Sequence, residues 1–192
     1  AGIHRRIELE EQNGSAVAAQ GLAKELLLEL QGGCEEKLEQ WQKLIDCTMR
    51  SVYASLELLN VKLGPENNRG ESFYSDRLEH VVQLFTERGL AVEDGGAIIV
   101  RFEDRERPML IRKSDGGYLY ATTDLAALRH RSMTLHADRI LYFIDARQSL
   151  HMKQVFTLAK KAGFVNTEIA LEHLPFGTMM GKDCKPFKTR TG

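Results

Sequence analysis

Between Ser15 and Leu63 apolar side chains recur three and four residues apart with no proline among them, the period of an amphipathic helix. Gly32-Gly33 breaks the run into two helices, and Gly64-Pro65 ends the second. In that second helix Leu38, Trp41, Ile45, Thr48, Val52, Leu56 and Leu59 fall on one stripe. Such a stripe needs cover, either from the neighbouring helix or from another protein docked on it. A further helix is predicted from Ser75 to Gly89, with Leu78, Val81, Val82 and Phe85 inward and Gly89 at its C-terminal cap. Three apolar runs follow at 97–102, 108–113 and 118–120. Ser114-Asp-Gly-Gly117 sits between the last two as a turn signal, so a small antiparallel meander is expected.

From Thr122 onward the pattern changes to helix (Thr123–Met133), strand (Arg139–Ile144), helix (Gln148–Ala162, capped by Gly163) and strand (Glu168–His173). Alternation of this kind is the signature of parallel βαβ construction, in which ligands sit at the carboxyl ends of the strands. The predicted class is therefore α/β, in three segments: helical over 1–64, a helix plus antiparallel strands over 65–121, and parallel βαβ over 122–192.

Composition narrows the function classes. Of 192 residues, 26 are Lys or Arg and 27 are Asp or Glu, so net charge gives no independent sign of nucleic-acid binding. The 3 cysteines, Cys34, Cys47 and Cys184, are widely spaced and show no metal-binding pattern, which points to a reducing, cytoplasmic compartment. No apolar run is long enough for a membrane helix. A soluble, non-membrane protein is expected, and a monomer.

The candidate chemistry gathers at the predicted strand ends. Tyr120 and Asp124 flank a strand-to-helix junction, where Thr122 or Thr123 is placed to cap the helix. There Asp124 is either a fixed anion aimed outward or simply a capping residue. Gln148 and His151, three apart, share one face near the start of the following helix. A planar guanidinium wants a bidentate carboxylate with neutral acceptors beside it, and Asp124, Tyr120 and Gln148 form that set. Gln148 is equally a helix-start residue, and His151 equally a packed imidazole. Near the end of the chain Lys182, Lys185, Lys188 and Arg190 lie among Gly177, Gly181 and Gly192, a basic loop fit for phosphates or for solvent. Its spacing is not that of a Walker loop.

Read in order, these blocks resemble the arginyl-tRNA synthetases, class I aminoacyl-tRNA ligases. The match runs from Trp41-Gln-Lys-Leu-Ile-Asp46 through Leu59-Asn-Val-Lys-Leu63, Gly70-Glu-Ser-Phe-Tyr74 and Asp115-Gly-Gly-Tyr-Leu-Tyr-Ala-Thr-Thr-Asp124. It continues through Leu135-His-Ala-Asp-Arg139, Tyr142-Phe-Ile-Asp-Ala-Arg-Gln148 and Leu171-Glu-His173 to Phe176–Gly192. The resemblance implies that residues 122–192 are the second half of a Rossmann-like nucleotide-binding fold. It implies arginine contacts from Tyr120, Asp124 and Gln148, and ATP contacts near Phe176, Gly177 and Met179, with His151 grouped among them. Phe187-Lys-Thr-Arg-Thr-Gly192 looks like the family's Lys-Met-Ser-Lys-Ser signature in divergent form, implying catalytic triphosphate contacts from Lys188 and Arg190. ATP with Mg2+, L-arginine and tRNA(Arg) are the implied partners.

Two departures qualify this. The second lysine of the signature falls at Thr191, and no His-x-Gly-His occurs anywhere in the chain. The expectation is a piece of a larger ligase, inactive by itself. The rival readings are a non-catalytic relative that binds arginine or nucleotide, and a helical interaction module.

Overall fold

The structure, a computed structural model, describes residues 16–31, 33–103, 107–182 and 184–186. It divides into two units, one holding the helices that precede Arg69 and the other spanning Arg69–Phe187. In the first, α1 (Ala16–Gln31) and α2 (Glu35–Leu58) are separated by a turn at Gly33, whose φ of +82° suits glycine. No residue of α2 is fully buried. Its half-buried line is Trp41, Ile45, Met49, Tyr53 and Leu56, while Thr48 and Val52 of the predicted stripe face solvent. Cover therefore follows a ridge of mainly four-residue steps rather than the mixed stripe. The helix also stops earlier than expected, at Leu58, and Asn60 takes a left-handed φ of 55°.

The second unit is built around one apolar core. A 3-10 turn over Glu71–Arg77 runs into α3 (Leu78–Glu87), which buries Leu78, Val81, Val82 and Phe85 as their spacing predicts. Gly89, at φ +65°, ends it. Next come β1 (Val92–Asp94), β2 (Ala97–Val100) and β3 (Met109–Arg112), an antiparallel sheet in that order. The meander exists, but its third strand is β1 and not 118–120. Gly95 and Gly96, at φ 59° and 80°, form the two-residue hairpin joining β1 to β2. Tyr118 makes only an isolated bridge to Arg112, and Tyr120 already belongs to the following helix.

That helix is α4 (Tyr120–Met133). It is followed by β4 (Arg139–Asp145), a 3-10 turn at Ala146–Gln148, α5 (Ser149–Lys161) and β5 (Ala170–Phe176). β4 and β5 pair in parallel through all seven residues, Arg139 opposite Ala170 to Asp145 opposite Phe176, with α5 in the connection between them. Ile140 and Tyr142 point into the core, where Phe85, Ile111, Leu125, Leu128, Val155 and Phe164 are fully buried. The α/β class read from the sequence holds, with one parallel and one antiparallel sheet. No helix among the described residues is long and apolar enough to cross a membrane.

Candidate functional site

The site begins with how α4 starts. Asp115 Oδ1 accepts the Gly117 amide at 3.0 Å, and Gly116 adopts φ +87°, so the chain reverses tightly after β3. Leu119 is extended and serves as the N-cap, which makes Tyr120 the first helical residue. The predicted Thr122 or Thr123 cap is therefore not used. Thr122 is completely buried and donates its hydroxyl to the Ile111 carbonyl, because the core leaves that β3 carbonyl needing a donor. Asp124 accordingly sits more than a turn into the helix, away from the free amides expected to hold it.

Its partner comes from α5. His151 Nε2 lies 2.7 Å from Asp124 Oδ2, and since an ionised carboxylate only accepts, that imidazole nitrogen is the donor. The Tyr120 ring meets His151 edge-on, with centroids 4.7 Å apart and planes at 64°. Tyr120 and Asp124 are four residues apart on one face of α4, and α4 packs on α5, so helix register and helix packing together assemble this trio. Among the described residues no second side-chain hydrogen bond to the Asp124 carboxylate is seen. Beside the trio is an open depression of about 700 Å³ lined in part by Arg107, Met109, Tyr120, Arg147, His151 and Gln154. Gln148 lies on the 3-10 turn, exposed, and neither it nor Asp124 lines the depression.

A second knot holds the carboxyl ends of the two parallel strands. Asp145, the last residue of β4, accepts from the Arg147 amide at 2.8 Å and from Arg147 Nε and Nη2, both at 2.9 Å. Thr178 Oγ1, just beyond β5, approaches the same carboxylate at 3.4 Å. The Arg147 hydrogen bonds pull the Asp145 pKa down to about 2. His173 Nε2 donates to the Ile144 carbonyl at 3.0 Å, tying β5 to β4 one step earlier. Phe176 and Met179 flank this knot and are exposed, at 54% and 77%, with Gly177 between them.

Lys188 and Arg190 lie outside the described residues, while Lys182 and Lys185 are exposed. Asp145 and Arg147 carry no role in the sequence reading above. The signal available was an acid and a base two residues apart at a strand end, the spacing of an Asx-type turn closed by an ion pair.

A parallel βαβ unit with its candidate chemistry at the strand ends, joined to an antiparallel meander, is the architecture of part of a class I aminoacyl-tRNA synthetase. The comparisons carry this to one branch. The family model described as tRNA synthetases class I (R), catalytic domain, matches residues 3–192, and the chain belongs to that family. It is 52% identical over 176 residues to the arginine–tRNA ligase of Cellvibrio japonicus and 48% identical to that of Hamiltonella defensa, each match covering 88% of this chain. The solved arginyl-tRNA synthetase of Plasmodium falciparum superposes with a TM-score of 0.75 at 31% identity, over 85% of this chain and 29% of that one. The chain spans 30% and 31% of the length of the two curated relatives.

Proposed function

We propose that this chain is the arginine-selecting part of an arginine–tRNA ligase. In the reaction, the carboxylate of L-arginine attacks the α-phosphorus of ATP, pyrophosphate leaves, and arginyl-adenylate forms. A terminal ribose hydroxyl of tRNA(Arg) then attacks the arginyl carbonyl, and AMP leaves. No side chain here acts as a nucleophile, since the work is positioning and charge stabilisation.

The observation that carries the reading is the Asp124–His151 contact of 2.7 Å beside Tyr120. His151 occupies one carboxylate oxygen of Asp124 and fixes its plane, leaving the other to receive a guanidinium N–H. Tyr120 offers a phenol oxygen and an aromatic edge at the mouth of the depression. Gln148, on the turn before α5, completes the arginine set when substrate draws it in. An ammonium cannot satisfy such a site in two directions, so lysine is disfavoured by about 1–3 kcal/mol for the acceptor left unpaired. Phe176, Gly177 and Met179, held beside β4 through Thr178 and Asp145, are assigned to the adenosine of ATP; Lys188 and Arg190, outside the described residues, are assigned to its Mg2+-bound phosphates.

In the full-length protein containing this chain, Asp124→Ala should raise the arginine KM by at least tenfold while moving the ATP KM little. Steady-state kinetics with each substrate varied decide it, and equal rises in both constants would refute the guanidinium assignment. The 192-residue polypeptide, which contains no His-x-Gly-His, should show no arginine-dependent ATP–pyrophosphate exchange. Measurable exchange would mean that these residues suffice for adenylate formation.

A further inference from the structure

Towards the C-terminal end of α4, away from Tyr120, a second cavity of about 140 Å³ lies in the same unit. Arg129, His130 and Thr134 line it together with Arg77 and Val81 from the opposing segment. Two guanidinium nitrogens here, Arg77 Nη1 and Arg129 Nε, are shut off from solvent and have no hydrogen-bond partner among the described residues. Both arginines do have other company. Arg77 Nε is 3.6 Å from Asp76, the Arg77 plane lies over Phe73 at 4.5 Å, and Arg129 lies 5.8 Å from the Phe164 ring. These contacts fix the two guanidinium groups without giving the two buried N–H groups an acceptor, and a charged donor is seldom left that way. His130 titrates below its ordinary range because it is buried and because Arg77, Arg69 and Arg131 surround it, so the local potential is positive. Cations in the last turn of a helix complement its dipole, which accounts for Arg131 but not for Arg129. Arg77 belongs to the separate 3-10 turn and is not explained that way.

We infer that this cavity binds a phosphate group, whose oxygens accept from the Arg77 and Arg129 guanidinium groups and the Thr134 hydroxyl that line it. At roughly 30 Å³ per water the space holds about four or five waters, room enough for a phosphate group with some of its hydration. Arginine forks suit its geometry. The phosphate comes either from an RNA backbone or from free phosphate. Only the RNA source rests on the ligase reading, so failure here leaves the Asp124 kinetics untouched.

The test has two arms on the full-length protein. Inorganic phosphate should move the His130 imidazole NMR signal saturably and raise its titration midpoint, an effect lost in Arg129→Gln and kept in Arg101→Gln. Arg101 serves as control because it is an exposed cation on the segment after β2, paired with Asp94 and removed from the cavity lining. A tRNA(Arg) transcript should bind Arg77→Gln or Arg129→Gln at least fivefold more weakly, with a log affinity–log salt slope shallower by about 1. A response to tRNA, alone or with phosphate, supports an RNA phosphate in the cavity. A response to inorganic phosphate alone supports the free anion. If the variants misfold, the wild-type His130 signal still decides, read with phosphate and with the transcript. No movement with either overturns the site.

Discussion

Asp124 takes its donor from the neighbouring helix, and that is the main thing its sequence position concealed. The four-residue spacing to Tyr120 is local and could be read directly, whereas the bond to His151 spans 27 residues and depends on α4 packing on α5. Spacing puts Tyr120 and Asp124 on one face but does not show that the His151 imidazole packs against both. Asp145 is similarly hard to read, because the sequence shows an acid two residues from a base and not the three short contacts between them. Those contacts depress its pKa to about 2, from an ordinary carboxylate value of about 4. A depressed carboxylate stabilises the fold above its unfolded pKa, and that contribution is lost as pH falls from about 4 through about 2. Carboxyl-carbon NMR should therefore give Asp145 a midpoint near 2, and Arg147→Gln should move it upward. A wild-type midpoint near the ordinary value would show that the knot does not hold in solution.

At the scale of elements, periodicity locates the α-helices of the described residues to within about five residues, because burial of Val81, Phe85, Leu125 or Val155 repeats at the helical period. Starts and short strands were less legible. A threonine pair beside an extended segment ordinarily signals a cap, but here tertiary packing claims Thr122 for the Ile111 carbonyl and α4 begins three residues sooner. β1 is three residues of Val-Glu-Asp, all exposed, with no alternation to reveal it. A further tie connects the meander's exit to α3: Tyr118 donates its phenol to Glu79, and burial with that carboxylate pushes the phenol up to about 12. The Thr122 bond is the more telling one, being wholly inside. Thr122→Val keeps the shape and strands the Ile111 carbonyl, so chemical denaturation should show a loss of about 1–3 kcal/mol. An unchanged midpoint and slope would mean that the bond contributes nothing beyond side-chain volume.

At the scale of the whole molecule, the parallel pair is covered unequally. Such sheets are ordinarily covered on both faces, and their strands are apolar on both. Along β4, Ile140 and Tyr142 enter the core while Leu141 and Phe143 remain 39% and 69% exposed. Parallel register puts Leu174 beside Phe143 and Glu172 beside Leu141, and Glu172 there forms a two-pronged ion pair with Arg139. The outward face thus has an apolar centre with an ionic border, the composition of a surface that excludes water when it is covered. This feature was legible in the sequence, since Leu141-Tyr-Phe-Ile144 is a continuous apolar run rather than an alternating one. With Phe143 open, the 192-residue polypeptide should enhance the fluorescence of a hydrophobic dye, and Phe143→Ser should remove most of that enhancement without lowering the unfolding midpoint. The second half of that expectation separates surface from core: a fall in the midpoint would mean that Phe143 already packs inside this chain, and the face would then need no cover.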